Sequence, residues 1–408
     1  MKQIVQQTSL FVVSLGVLAL AACGGTRVNP VDDGGSYSEA IGGGLGTSLA
    51  GLDSANTQLF AEGLISFSKV EDSGDGLGPL FNDTGCANCH SAGAIGGAGE
   101  NQASIEIRVG GIVHGQYSDL EAWGGPIIQK RSIQEFDSSV PFGPEVIPSQ
   151  ATFVSLRLTT PVFGLGLIEA ISDQEILARS NVDQGLGIRG VANVVLNPIT
   201  GETEIGRFGW KSQISNLDVF AADAYLNEMG ITNDIFSDES LPQGQPFPTG
   251  FDTGIQPNDT DQDVPFLAAF MRFLSPPSSN VVILESKGGQ LFESVGCNRC
   301  HVPLLQTSSN APDGLANKNV RLFSDLLLHR MGNRLADGIQ QGQAKGDQFR
   351  TAPLWGVSMR PLLMHDGRST TVEGAIMEHG GEASQVVDQF SRLSPSNRAI
   401  LLQFVESL

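Results

Sequence analysis

The sequence predicts a mainly α-helical protein of two domains with long loops. A thirteen-residue pattern occurs twice, at 78–90 and 289–301, and each copy joins Leu-Phe, a glycine and Cys-x-x-Cys-His. Ser275-Pro-Pro-Ser-Ser279 lies between the copies and is typical of an interdomain linker. Apolar residues recur mostly at helical spacing and strand patterns are few, while 50 glycines and 20 prolines indicate long loops.

The N-terminus predicts export. Lys2 precedes an apolar run at 10–20, which has the length of a signal peptide and is too short to span a membrane stably. Small residues then precede Cys23, as in a lipoprotein cleavage site, so residues 1–22 are expected to be removed and Cys23 lipidated. Gly24 favours the outer membrane. We therefore expect a chain that faces the periplasm and contacts the membrane only through its lipid.

The remaining chain divides at changes in composition. Residues 23–57 are rich in Gly, Ser and Asp and predict a flexible tether. The first domain is expected at 58–275, with a large insertion after its cysteine motif, and the second at 280–408. Apolar spacing predicts helices at 173–179, 217–229, 265–274, 372–379 and 396–408, and a short helix is expected to lead into each cysteine motif.

The charge excludes one class of function. The formal net charge is −20 and the pI is near 4.6. Nucleic-acid binding needs basic surface, so it is excluded. An acidic surface favours a small, basic redox protein as electron donor or acceptor.

Two Cys-x-x-Cys-His units predict two prosthetic groups. They comprise Cys86, Cys89 and His90, and Cys297, Cys300 and His301. At this spacing both thiols can add to the vinyl groups of a haem, and the next histidine then meets the iron. A thioredoxin-like pair does not need the histidine, and the units lie too far apart for a compact four-thiolate zinc site. We therefore expect two covalently bound haems c in cytochrome c-like domains, with His90 and His301 as proximal ligands.

Several further segments resemble a known family. The second half contains Asp325-Leu-Leu-Leu-His329-Arg-Met-Gly332 and Met364-His365-Asp-Gly-Arg368, and the first contains Gly164-Leu-Gly-Leu-Ile-Glu-Ala-Ile171 and Gly206-Arg-Phe-Gly-Trp-Lys211. Over roughly residues 60–408 the chain resembles the di-haem oxidoreductase family of peroxidase-like proteins. That family is related to the bacterial di-haem cytochrome c peroxidases and to the di-haem enzyme that matures methylamine dehydrogenase. The resemblance implies a redox enzyme that uses two haems.

The resemblance also implies a distal ligand for the second haem. In the di-haem peroxidases, a methionine fourteen positions after a His-Asp-Gly segment ligates the C-terminal haem. Here the segment begins at His365, and His379 occupies that position. Imidazole in place of thioether lowers the reduction potential of a haem. We expect His301 and His379 to ligate the second haem, with Met377 as the second candidate for the distal ligand. His365 is expected to lie near the haem propionates. His329 is expected to form a hydrogen bond or to pack in the core.

The sequence offers weaker candidates for the residues that act at the first haem, because the Phe-Trp-Asp-Gly segment of the peroxidases is absent. Glu169 lies in an apolar frame, where burial would suit it to carry a proton; pairing with Arg157 or Arg179 is the alternative. Trp210 is a candidate electron relay or an ordinary core residue. His114 is a candidate reversible cap for the first iron.

Three hypotheses about function stay open. The first is peroxide-dependent redox catalysis at the first haem, with a peroxide or another small molecule as substrate and electrons stored at the second. The second is a non-catalytic electron-transfer or iron-uptake accessory lipoprotein. The third is oxygen-dependent cleavage of an organic substrate. Calcium is compatible with the acidic segment 258–263, whereas the segment 183–189 keeps a single carboxylate.

Overall fold

The computed structural model describes residues 44–254, 256–277 and 284–408. The predicted signal peptide at 1–22 and the predicted lipidation site Cys23 lie outside these residues. None of the described helices is both long and apolar enough to cross a membrane.

Helices hold 31% of the described residues. Capping residues define the helix ends. At the start of the fifth helix the Asn216 side chain accepts a hydrogen bond from the Val219 amide, and the helix ends at Gly230, where φ is 66°. The five helices expected from apolar spacing are present, each within two residues of the predicted bounds. The helices are α1 (Ser54–Ser68), α2 (Cys86–Cys89), α3 (Leu165–Glu169), α4 (Asp173–Leu177), α5 (Leu217–Met229), α6 (Asp263–Phe273), α7 (Lys287–Val295), α8 (Val372–Glu378), α9 (Ser384–Ser391) and α10 (Pro395–Glu406).

Strands are more frequent than the sequence predicted. They are β1 (Leu80–Phe81), β2 (Ile105–Val113), β3 (Gln116–Ser118), β4 (Ile127–Ile128), β5 (Arg131–Ser132), β6 (Phe153–Leu158), β7 (Val194–Leu196), β8 (Thr203–Ile205), β9 (Leu305–Gln306), β10 (Asn319–Val320), β11 (Leu328–Arg330) and β12 (Gln348–Arg350). The central strand β2 pairs antiparallel with β3, β4 and β6, and the other strands form two-stranded pairs. The fold is therefore mixed, with many loops, rather than clearly mainly α.

Two main apolar cores lie beneath these elements, and a third, minor cluster lies at β2 and β4. In the larger core α1 packs on α6, where the Phe67 and Phe270 rings have centroids 4.5 Å apart, and the same core includes Val302 and Trp355 from the second half. In the smaller core α7 packs on α10, with the Phe292 and Phe404 rings 5.5 Å apart. The larger core therefore contains residues from both halves of the chain.

The folded region begins earlier than Thr57. The Leu49 amide donates to the Phe273 carbonyl, and the Leu49 side chain is buried. The Ser275 hydroxyl, from the predicted linker, donates to the Ser48 carbonyl at 2.7 Å. Residues 47–49 were expected in the tether, yet they pack against the end of α6. The predicted boundary between the two domains, at 275–280, stays a prediction.

Candidate functional site

The two cysteine motifs have different local surroundings. In the second copy α7 ends at Gly296, where φ is 95°, and a short 3₁₀ turn then carries Cys297–Arg299. This is the predicted helix leading into the motif. In the first copy Leu80–Phe81 is instead strand β1, which pairs with β5. The helix expected there is absent, because tertiary strand pairing overrides the local pattern.

The first motif lines a cavity, named here the N-terminal cavity. Cys86, Cys89 and His90 lie on its wall. The His90 Nδ1 lies 3.3 Å from the Gly97 carbonyl oxygen, which leaves Nε2 as the nitrogen able to bind iron. Burial lowers the pKa of His90 to about 4, so the imidazole is neutral, as ligation requires. Neither cysteine forms a disulfide bond with another described residue.

The second motif lines the C-terminal cavity, where two histidines face each other. The ring centroids of His301 and His379 are 6.4 Å apart. The His301 Nδ1 lies 3.0 Å from the Phe323 carbonyl oxygen, and the His379 Nδ1 lies 2.7 Å from the Ala375 carbonyl oxygen. Each ring therefore keeps Nε2 for a ligand. Burial lowers the pKa of both imidazoles, to about 4 for His301.

This separation matches two ligands of one iron. Two imidazoles on opposite sides of a metal have ring centres about 6.3 Å apart, taking about 2.0–2.1 Å for each metal–nitrogen bond and about 1.1 Å from nitrogen to ring centre. Met377 is 44% exposed and is not among the residues lining the cavity. The geometry therefore brings His379, rather than Met377, to the His301 side chain.

The charge of the lining also fits haem in the C-terminal cavity. Counted with the solvent in their open mouths, the C-terminal cavity spans about 1910 Å³ and the N-terminal cavity about 1310 Å³. Arg350 and Arg360 line the C-terminal cavity, and burial lowers the pKa of each guanidinium to about 10.

Neither guanidinium forms an ion pair with another described residue. The Arg350 Nη1 is buried without a hydrogen-bond partner, and Arg360 donates only to backbone carbonyls. Buried cations are unfavourable unless an anion compensates their charge. The two propionate groups of a haem would supply that charge.

Trp210 lies between the cavities and lines both of them. Its Nε1 donates to the Leu158 carbonyl at 2.8 Å, and its ring packs edge-on against His365 at 6.4 Å. His365 is buried, stacks on Phe349 and lines the C-terminal cavity. The predicted relay residue is therefore fixed at the wall that the two cavities share.

Charged groups that the sequence analysis missed line the N-terminal cavity. They are Asp83, Glu106, Arg108, Lys130, Asp223 and Glu228. Burial, followed by the negative charge of Glu106, raises the pKa of Glu228 to about 8, and burial raises the pKa of Asp223 to about 6. The Asn82 Nδ2 donates to Glu228 Oε2 at 2.9 Å. The sequence signal that could have pointed to these groups was the presence of Asp223 and Glu228 within the predicted helix at 217–229.

Glu169 lies elsewhere and corrects one expectation. Its Oε2 accepts from Arg272 Nε at 2.6 Å, its Oε1 accepts from the Leu217 amide at 2.8 Å, and it is not among the residues lining either cavity. The ion-pair interpretation applies, although the partner is Arg272 rather than Arg157 or Arg179. Glu169 therefore joins α3 to α5 and α6 and is not placed to carry a proton into a cavity.

Two other candidates also lie outside the cavity walls. His114 is exposed in the turn between β2 and β3 and is not among the residues lining the N-terminal cavity, so it is not placed to cap an iron there. Asp183 faces Arg189 across 3.9 Å. Within the described ranges no three His, Cys, Asp or Glu side chains are grouped to hold a metal ion.

Comparisons with known proteins identify the family. The model of the family described as "Di-haem oxidoreductase, putative peroxidase" matches residues 147–408, which is well over half of the chain. No curated protein matches. Solved structures that are similar include the hydrazine synthase of Kuenenia stuttgartiensis, with 15% identity, 94% of this chain and 100% of that chain covered, and a TM-score of 0.37.

A MauG-like protein associated with microbial copper homeostasis is also similar, with 14% identity, 91% of this chain and 95% of that chain covered, and a TM-score of 0.40. At these TM-scores the two structures indicate neither the substrate nor the partner of this chain. The family match stands independently of them. The chain belongs to the di-haem oxidoreductase family.

Proposed function

We propose that this di-haem oxidoreductase is a lipid-anchored enzyme that reduces peroxide, or uses it to oxidise a partner, at the N-terminal haem and stores electrons at the C-terminal haem. Each haem c is attached covalently, one through Cys86 and Cys89 and the other through Cys297 and Cys300. His90 and His301 are the proximal ligands. Neutral imidazoles with their Nδ1 atoms bonded to backbone carbonyls support these assignments.

The asymmetry between the cavities carries the proposal. In the C-terminal cavity the ring centroids of His301 and His379 lie 6.4 Å apart, so both side chains would hold the iron of a haem bound there. Among the described residues that line the N-terminal cavity, His90 is the only histidine. A haem with a free axial position can bind an oxidant, whereas a haem with two protein ligands suits electron transfer.

The N-terminal cavity also supplies proton donors. Reduction of hydrogen peroxide to two water molecules consumes two electrons and two protons. A bound haem supplies the redox centre, and the chain must supply the protons. Glu228, whose pKa is raised to about 8, is protonated at neutral pH and lines this cavity together with Asp223 and Glu106. We assign proton delivery to Glu228 in place of Glu169.

Trp210 connects the two sites. It lines both cavities, and its indole is held by the Leu158 carbonyl at 2.8 Å. An aromatic ring at the shared wall shortens the distance that an electron must cross between the two haems. We therefore assign Trp210 the role of relay, the first of the two roles considered for it from the sequence.

One observation favours the alternative, a non-catalytic electron-transfer or iron-uptake accessory protein. Met229 and Met271 are buried and line the N-terminal cavity. A thioether is a common second axial ligand of haem in cytochromes. If either methionine binds the N-terminal iron tightly, no position remains for peroxide.

Electron paramagnetic resonance of the oxidised protein tests the proposal. Intact mass should first show two haems per chain. One high-spin and one low-spin signal are then expected. Two low-spin signals, with the one from the N-terminal haem lost in Met229→Leu or Met271→Leu, would replace the enzyme by the electron-transfer protein. A mass corresponding to one haem would contradict both.

We further propose that lipidated Cys23 holds the protein at the outer membrane, facing the periplasm. The partner is a small redox protein with a basic docking surface, because the chain carries a net charge of −20. Partner binding driven by this charge should weaken as salt is raised.

A further inference from the structure

A buried cluster of ionised side chains lies against the second cysteine motif. We name it the His329 cluster, and it consists of His329, Asp325 and Glu382. The His329 Nε2 lies 2.9 Å from Asp325 Oδ2, and the Nδ1 lies 2.9 Å from Glu382 Oε2. The side chains of His329 and Asp325 are almost fully buried, and that of Glu382 is 14% exposed. His329 and Glu382 line the C-terminal cavity.

The geometry fixes the charge of this cluster. Both ring nitrogens face carboxylate oxygens at hydrogen-bond distance, so both carry a proton and the imidazole is cationic. Hydrogen bonds to Asp325 and Glu382 raise the pKa of His329 despite its burial, and the bond from His329 lowers the pKa of Glu382. With two carboxylates and one imidazolium, the cluster holds one net negative charge.

Neighbouring cations do not cancel that charge. Glu382 also accepts from the backbone amides of Arg189 and Arg330. The Arg330 guanidinium lies 2.8 Å from Asp347. The Arg189 guanidinium donates to the Asn181 carbonyl at 2.9 Å and lies 3.9 Å from Asp183. Both arginine side chains are about half exposed, so solvent screens them.

The cluster touches the haem attachment site directly. The His329 Nδ1 lies 3.6 Å from Cys300 Sγ, and the Asp325 amide donates to the Cys300 carbonyl at 2.9 Å. Ferric haem carries one more positive charge than ferrous haem. A fixed negative charge at the edge of the macrocycle therefore stabilises the oxidised state.

We propose that His329, Asp325 and Glu382 are positioning residues that lower the reduction potential of the C-terminal haem by holding one net negative charge against Cys300. This inference rests on the proposed attachment of haem at Cys297 and Cys300. A low potential makes the C-terminal haem a ready electron donor to the N-terminal cavity. The cluster thus acts in the same direction as imidazole ligation by His379.

Asp325→Asn and Glu382→Gln test the inference, because each removes one negative charge and nearly preserves shape. Glu406→Gln is the matched control, since it removes one charge at an exposed position of α10. The reduction potential of each haem is measured by spectroelectrochemistry on chains that carry both haems. We expect the one-electron reduction equilibrium of the C-terminal haem to shift at least tenfold toward the reduced state, about 59 mV.

The N-terminal haem should keep its potential in these variants, which also shows that the fold is intact. The control should leave both potentials unchanged. A shift below threefold, about 28 mV, in both cluster variants would overturn the inference while leaving the proposed function standing. If Asp325→Asn does not fold, Glu382→Gln alone decides, because its carboxylate is partly exposed. A wild-type chain without a C-terminal haem would instead refute the proposed function.

Discussion

Replacement of His379 by alanine is the sharpest test of the two-site arrangement. His379 follows α8 directly, and its Nδ1 lies 2.7 Å from the Ala375 carbonyl oxygen. Removing the ring takes away the imidazole that faces His301. We therefore expect the C-terminal iron to change from low to high spin, while the N-terminal iron keeps its state.

The size of the effect follows from the number of sites. One haem of two should change, so half of the total haem iron should move from the low-spin to the high-spin signal. The His301 and His379 ring centroids are 6.4 Å apart, so the space vacated in His379→Ala would accept one imidazole opposite His301. Free imidazole should therefore enter the truncated site and restore the low-spin signal.

Electron paramagnetic resonance with spin quantification is the assay, and Met377→Ala is the matched control. Met377 is 44% exposed and its sulfur lies 3.7 Å from the Ser391 hydroxyl, so its removal should leave both signals unchanged. Met331 and Met364 also line the cavity, and leucine at each position excludes them as substitute ligands. A C-terminal haem that stays low spin in His379→Ala with both leucines present would refute the reasoning.

Three further predictions address the proton donor, the corrected residue and the anchor. Because the pKa of Glu228 is raised to about 8, its carboxyl is protonated below that pH, and peroxide reduction should fall as the pH rises through about 8. Glu228→Gln should slow the reaction by about 10²–10⁴-fold in stopped-flow assays and remove this pH dependence, whereas an unchanged profile would exclude Glu228. Glu169→Gln should leave the rate of peroxide reduction unchanged but lower the free energy of unfolding by about 1–3 kcal/mol, because Arg272 loses a charged partner. If the reaction is slowed while the stability measured by urea unfolding is unchanged, Glu169 would again be the proton carrier. Cys23→Ser should abolish lipidation and release the protein from membranes in fractionation, and full retention would contradict the anchor.

Local signals explain what the sequence analysis predicted well. Helix α5 was expected at its observed bounds, because apolar residues recur at helical spacing between the Asn216 cap and Gly230. His379 was singled out by counting from His365, and both side chains line the C-terminal cavity. Each of these expectations depends on residues that are close in sequence, where local geometry dominates.

The sheet around β2 was missed because its pattern is irregular. Gly110 and Gly111 interrupt the alternation of apolar residues, and the partner strand β6 lies more than forty residues along the chain. Strand formation depends on such distant partners more than on local preference. For this reason the mainly α expectation was confirmed only in part.

The carboxylates show the same difference between local and long-range information. The apolar frame around Glu169 does bury its surroundings, but burial does not identify a partner, and Arg272 lies 103 residues away. The position of Glu228 in the predicted helix at 217–229 did not show that it faces a cavity, since its raised pKa depends on burial by cavity walls from separate elements and on Glu106. Proton-carrying residues in loop-rich proteins are therefore poorly predicted from sequence alone.

Two copies of one motif thus lie in unequal sites, and the difference comes from segments outside the repeat. In the second half, the chain after His365 places His379 opposite His301. In the first half, α5 brings Asp223 and Glu228 to the cavity instead of a second histidine. Because the motif would supply only one ligand to a bound haem, these neighbouring segments would determine whether the iron is held by a second imidazole or faces titratable carboxylates. Division of labour between two copies of one motif therefore requires change only in the surrounding loops and helices, and the motif itself can stay constant.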